Sequence, residues 1–223
     1  MAEDVRGRLI DAAGRAFAER GFEGASVRDI CSDAGVNVAA INYHFGDKQS
    51  LYVACLEQAQ GSESRQTLLA ADPSLPPEAR LHGFIRGMLA AQGDPDRPRW
   101  HNALMLREMA HPTTAAAEVL KRYIRPLAET LREILEQISP GVSGMSHDGW
   151  PVGFSVVSQV LFYAVHRPVV RLLMGEAEHD ALDVDFLADH ITRFSLAALG
   201  RGPNIVAAPG GPRSAGTRKT VPR

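Results

Sequence analysis

The chain has 223 residues, 45% of them hydrophobic, and a formal net charge of −2, enough for one large domain or a small domain plus a larger one. Its two cysteines, Cys31 and Cys55, exclude a disulfide framework and offer no metal-ligand spacing, which fits a reduced, cytoplasmic compartment. The opening Met-Ala-Glu-Asp-Val-Arg lacks a secretory pattern, and the most apolar run, 150–165, is too short to span a bilayer, so no membrane partner is expected.

Residues 4–20 carry Val5, Leu9, Ile10, Ala13, Ala16 and Phe17 at helical spacing, and Gly21 follows as a stop. Ser26 can cap a helix from Val27 to about Ala34, with Asp29 in its first turn complementing the dipole. Gly35 ends that helix and Asn37 can cap the next, Val38 to Phe45, with Ile41 and Phe45 on its inner face. A longer helix starts near Lys48 and runs toward Leu68, and Pro73, Pro76 and Pro77 mark a boundary.

Beyond the boundary every segment again has helical period. The expected helices are 77–92, 100–110, 113–138 with a bend at Pro126, 150–165, a turn or two from Pro168 through Leu173, and 184–199. Residues 175–183 read as a connection. The segment 150–165 is nearly apolar all round and should be covered on most sides. The stripe of the last helix is Leu187, Ile191, Phe194 and Ala198. From Gly200 the chain is rich in Gly, Pro, Ser and Arg; residues 201–223 hold five basic groups and no acidic one, and a disordered basic tail is expected. The fold class is all-α.

The segment 26–45 has the chemistry of a helix-turn-helix, whose second helix presents short side chains to base edges while neighbouring groups hold phosphates. Asn37, Val38, Ala39, Asn42 and Tyr43 are the candidates for base contact. An asparagine amide can pair with adenine, and Val38 or Ala39 can press on a thymine methyl. That helix has no Arg or Lys, so recognition should lean toward A·T steps and shape. Ser26, Arg28, Tyr43, His44 and Lys48 are the candidates for phosphate. Residues 1–50 hold 6 Lys/Arg against 8 Asp/Glu, so strong indiscriminate binding is not expected.

Residues 4–60 resemble the DNA-binding domain of the TetR family of transcriptional repressors. The resemblance rests on Gly35-Val36, Asn42-Tyr43-His44-Phe45 and Lys48. Many members have a basic residue where Val38 stands and a tyrosine where Asn42 stands; both departures bear on the operator sequence rather than the fold. Asn42-Tyr43-His44-Phe45-Gly46, together with the Gln159–Tyr163 and Arg167–Leu173 segments, is similar to the CecR/CerR-like branch.

The resemblance implies three segments: a helix-turn-helix DNA-binding domain at 1–60, a helical effector-binding and dimerisation domain at 61–200, and the tail at 201–223. It implies a regulator, not an enzyme, with no cofactor. It also implies a double-stranded DNA operator as partner, a homodimer through 150–165 and 184–199, and release by a small-molecule effector. By periodicity alone those two segments could equally fill the monomer core. Polar or aromatic groups set among apolar ones in the later helices are the candidates for effector contact: His82, Trp100, Arg107, Met109, His111, Gln159, Tyr163 and Arg167.

Two other readings compete. Glu108-Met-Ala-His111 and Glu176-Ala-Glu-His179 are both Glu-x-x-His, the pattern used twice by di-iron carboxylate bundles, although the second falls in the expected connection. A helical adaptor whose N-terminal hairpin binds protein is the other. No Gly-rich phosphate loop, nucleophile elbow or His-Glu-x-x-His zinc motif is present.

Overall fold

The computed structural model describes residues 2–61, 72–93, 97–140 and 149–201, with side chains from Val5 onward. Every regular element among them is a helix: α1 Ala2–Gly24, α2 Val27–Ala34, α3 Ala39–His44, α4 Lys48–Gln60, α5 Pro77–Gly93, α6 Arg99–Ala110, α7 Thr114–Ile138, α8 Trp150–Val165, α9 Arg167–Met174, α10 Glu176–Asp180 and α11 Val184–Ala198. Residues 141–148 and nearly all of the basic tail lie outside the described residues, as does the stretch of the fourth helix expected beyond Gly61.

The N-terminal helices fold as their caps dictate. Gly21 has φ 73 and ψ 176, which breaks α1 where a stop is expected. Ser26 Oγ accepts from Asp29 N to start α2. At its end Gly35 is left-handed, Val36 N donates to Cys31 O at 2.9 Å and Gly35 N to Ser32 O at 3.2 Å, a Schellman stop. Asp47 Oδ1 accepts from Ser50 N at 2.7 Å and caps α4, which sequence reasoning had not singled out. Those amide bonds hold the Asp47 carboxyl below its ordinary value; its cap is complete above that ordinary value and is lost as pH falls through the lowered one.

Two cores form. The first joins Leu9, Phe17, Ile30, Ile41, Leu51 and Tyr52 of α1–α4 to Trp100 and Leu104 of α6 and to Ala116 and Val119 of α7. Cys31 and Cys55 are buried here as free thiols; Cys55 Sγ points at Ile10 O, 3.5 Å away. The second core packs Leu81, Phe84 and Ile85 of α5 with Leu131 and Leu135 of α7, Val156 and Val160 of α8, and Leu187 and Ile191 of α11. Helix α6 therefore belongs to the first core through one face.

Trp100 shows how tightly α6 is seated. A Cβ on Gly14 of α1 would lie 2.4 Å from the indole, and the indole Nε1 donates to Asp11 Oδ1 at 3.3 Å. An exposed glycine in mid-helix normally gains about 1 kcal/mol when replaced by alanine. Gly14→Ala should instead destabilise the chain by about 1–3 kcal/mol through overpacking. In a Trp100→Ala background the same substitution should become neutral or stabilising. Denaturation midpoints of the four proteins check this.

Three expectations about the second core need correction. Residues 176–180 form a short helix rather than a plain connection. Of α8, only Val156 and Val160 are buried, while Phe154, Phe162 and Val165 are exposed; the single chain does not cover this helix on most sides. On α11 the buried stripe is Leu187, Ile191 and Ser195, and Phe194 faces outward. Ser195 is accommodated because its Oγ donates to Ile191 O at 2.8 Å. No single described helix is long and apolar enough to cross a membrane; only α8 and α9 taken together pass that test, and they are bent by 72°.

Candidate nucleic-acid interface and interior cavity

Helix α3 is held from behind by Ile41, which is buried, and by backbone bonds from Phe45 N and Gly46 N to Ile41 O. Its other face is open. Asn37, Val38, Ala39, Asn42 and Tyr43 are all exposed, and Tyr43 keeps 84% of its surface. Asn37 Oδ1 accepts from Ala39 N at 3.0 Å, so capping takes one of its two acceptor lone pairs and leaves its NH2 for a ligand. Asn42 is the asparagine with both amide groups outward.

The charge arrangement answers the acidic balance of residues 1–50. Arg15 pairs with Asp33 at 2.8 Å and Arg20 with Asp29 at 3.2 Å, while Arg8 Nη1 donates to Ala34 O at 2.9 Å. Such exposed pairs add about 0–1 kcal/mol each, but they neutralise both carboxylates of α2. Arg6, Arg28 and Lys48 have no acidic partner among the described residues. Lys48 Nζ lies 4.7 Å from the Phe22 ring centroid and Arg6 lies 5.2 Å from that of Phe45. Arg6 was missed by sequence reasoning because it sits far from the hairpin in the chain. His44 is half-buried beside Tyr43, and Ser26 Oγ, engaged as a cap, keeps its hydrogen to donate.

Lys48→Met preserves the aliphatic stem on Phe22 and removes the charge. It should weaken DNA association by a similar factor on all sequences and flatten the slope of log K against log salt by about 0.9. Titrations at several salt concentrations check the slope.

Helix α6 has a second face, which borders an apolar cavity of about 210 Å³. Its walls are α5, α6, α7 and α8, through residues such as Phe84, Met88, Met105, Met109, Leu131 and Val157. Of the eight residues picked for effector contact, only Met109 lines it. Trp100 is instead a core residue against α1. His82 Nε2 lies 2.9 Å from Asp189 Oδ1, tying α5 to α11, and Gln159 Nε2 donates back to Ser155 O. Tyr163 and Arg167 line a separate, more polar cleft with His179 and Asp183. Arg107 and His111 line another with Arg20 and Thr113. The signal that could have found the cavity is the methionine content of α5 and α6, since methionine fills irregular space.

Between interface and cavity lies a buried polar junction. The Tyr52 hydroxyl of α4 donates to Glu108 Oε1 of α6, and Glu108 Oε2 accepts from Thr113 N at 2.9 Å and Thr113 Oγ1 at 3.2 Å. Burial first, then the Glu108 carboxylate, pushes the Tyr52 phenol well above its ordinary value, so Tyr52 is a neutral donor. This occupies the first of the two Glu-x-x-His glutamates structurally. Among the described residues no group of three or more His, Cys, Asp or Glu is arranged to hold a metal.

The comparisons agree with this geometry. Residues 9–55 match the family model "Bacterial regulatory proteins, tetR family", and 77–199 match "HTH-type transcriptional dual regulator CecR, C-terminal domain". The dual regulator CecR of Shigella flexneri is 32% identical over 145 residues, 60% of this chain and 64% of that protein. The repressor AcnR of Corynebacterium efficiens is 36% identical over 95 residues, 43% of this chain and 44% of that protein. The matched regions thus span under two thirds of either relative. The crystal structure of AibR in complex with isovaleryl coenzyme A and operator DNA is 19% identical, with a TM-score of 0.63 covering 85% of this chain and 97% of that one, a likeness of fold. With the second model matching more than half its length, the chain belongs to the TetR family of bacterial regulatory proteins, in the CecR branch.

Proposed function

We propose that the chain is a cytoplasmic transcriptional repressor that binds a palindromic operator as a homodimer and leaves it when a small molecule occupies the α5–α8 cavity. The observation that carries this reading is the open face of α3: a tyrosine 84% exposed, beside Asn42, Val38 and Ala39, on a helix fixed from behind by Ile41 and flanked by Arg28 and Lys48. No packing need explains holding a tyrosine outward. Asn42 pairs with an adenine edge, Val38 and Ala39 meet thymine methyls, and Tyr43, His44, Ser26, Arg28 and Lys48 hold phosphates.

One helix touches only a few base pairs, so two copies about 34–36 Å apart are required. The outward aromatics of α8 and α11 supply a self-complementary surface for that pairing. The division at 1–60 and 61–200 follows function: the first part reads DNA, the second pairs and senses. Helix α6 faces both, with Glu108 toward Tyr52 and Met105 and Met109 toward the cavity. A ligand that favours one setting of α6 changes the separation of the two α3 helices, and a coupling of about 1–3 kcal/mol shifts operator affinity some 5–150-fold. The operator and isovaleryl coenzyme A named with AibR, and the repressor name of AcnR, support this reading.

Selection of bound fragments from genomic DNA, followed by transcript counts with and without the gene, tests it. Enriched promoter fragments whose transcripts rise on deletion are expected. No enriched fragment, or transcripts that fall, would refute DNA binding or repression respectively.

A further inference from the structure

Two packing units meet along α7, and the seam between them falls at Pro126. On the N-terminal side, Ala116 and Val119 are buried in the first core, and Leu120 and Tyr123 pack against it. On the C-terminal side, Leu127 packs against the second core, and Leu131, Ile134 and Leu135 are buried in it. Polar contacts follow the same division. Glu57 of α4 accepts from Tyr123 Oη at 3.2 Å and pairs with Arg122 at 3.5 Å, while Arg80 Nη1 of α5 donates to Gln137 Oε1 at 2.9 Å. Helix α6 packs on α1 and α4, and α5 packs on α7, α8 and α11. The unit that carries α3 thus extends past residue 60 to take in α6 and the first half of α7.

Pro126 is the soft point of the rod that joins the two units. It has no N–H for the Arg122 carbonyl, and its ring crowds that turn. Thr130 Oγ1 donates to the Pro126 carbonyl at 3.0 Å, a back-bond that favours bending. Sharp bends in long helices sit at such positions. The α5–α8 cavity borders the same point. Ile124 and Leu127 line it on either side of Pro126, Met105 and Leu120 from the first unit, and Leu131 and Val157 from the second. Polar bridges between the units, from Asn102 Nδ2 to Gln92 O at 3.3 Å and from Arg97 to Ala59 O and Ala91 O, lie beside the α5–α6 connection, where the chain joins them in any case. Packed cores shift as bodies rather than deform, so motion belongs at the seam and not inside either unit.

We infer that Pro126 is a pivot: α1–α4, α6 and the first half of α7 turn together against α5, the second half of α7, α8 and α11, and the contents of the cavity set the angle. Its use as a switch rests on the cavity being the effector site.

Spin-label distances on the full chain without DNA test it, with each doubly labelled chain diluted in unlabelled chain so that a distance lies within one copy. Cys31 and Cys55 are buried, and a chain without added cysteines gives the background. Gly7→Cys with Gly83→Cys spans the two units. Gly7→Cys with Ala103→Cys lies within the first, and Ala90→Cys with Glu133→Cys within the second; all five positions are exposed. The spanning pair should give a wider distribution than the other two, and Pro126→Ala, which restores the N–H, should narrow it to their width. Val157→Trp, or Met105→Trp should the first fail to fold, puts an indole into the cavity. It should shift the spanning mean by about 2 Å or more while the other two stay in place. A spanning distribution no wider than the Gly7–Ala103 one, a spanning width untouched by Pro126→Ala, or a spanning mean unmoved by a folded cavity-filling variant would overturn the inference. The parent reading is judged separately on an operator fragment: a cavity-filling variant whose spanning distance shifts while its DNA affinity is unchanged contradicts the effector role and leaves the pivot standing.

Discussion

Under the proposed pairing, Phe162→Asp should leave the protein monomeric and cost it most of its operator affinity. Phe162 keeps 48% of its surface in the single chain, and Phe154, Phe186 and Phe194 keep 47–59%. Phe154 and Phe162 lie eight residues apart on α8, and Phe186 and Phe194 eight apart on α11. Both pairs therefore fall on one stripe of their helix. The two helices pack against each other. A patch of this kind on a soluble chain marks an interface, and aromatic side chains near the centre of an interface carry its energy. A carboxylate placed there should cost about 2–4 kcal/mol of association, which is about 30- to 800-fold in dimer dissociation. Sedimentation reads the mass and a duplex titration reads the DNA affinity. A variant that remains dimeric, or a monomer with undiminished operator affinity, would contradict the pairing.

Tyr52→Ala should destabilise the chain by about 3–5 kcal/mol. The ring is fully buried, edge-on to Phe17 at 4.7 Å and to Phe22 at 5.1 Å between centroids, and its hydroxyl is bonded to Glu108. Tyr52→Phe separates these contributions. It keeps the packing and strips the buried carboxylate of one donor, for a cost of about 1.5–3 kcal/mol. Because Glu108 also holds the start of α7 through Thr113, the phenylalanine variant should additionally alter how strongly effector and DNA exclude one another, which Phe17→Leu of similar cost should not. Urea midpoints and paired titrations check both. A Tyr52→Phe protein as stable as the parent would show the junction to be dispensable.

The helix-turn-helix was legible because its determinants are local. Ser26, the Gly35 stop, the Asn37 cap and Ile41 lie within sixteen residues and act through neighbouring backbone. The all-α class was legible for the same reason, from repeated apolar spacing. What escaped depends on contacts distant in sequence. Trp100 looked like a pocket aromatic, yet it docks on Gly14, eighty-six residues earlier, where the missing Cβ makes room. Periodicity marks Phe162 and Phe194 as apolar but does not say which chain covers them. The cavity escaped because an apolar recess has no residue pattern of its own; polar and aromatic groups set among apolar ones point to Met109 but not to the other methionines and the leucines that line it. Arg6 escaped because only the folded α1 carries it to Phe45.

A footprint on a selected operator, taken together with the mass of the complex, bears most directly on the claim that α3 reads DNA as one of a symmetric pair. Two chains per duplex are expected, with protected patches related by a two-fold axis and major-groove contacts centred about one helical turn apart. One chain per duplex, or protection without two-fold symmetry, would contradict it.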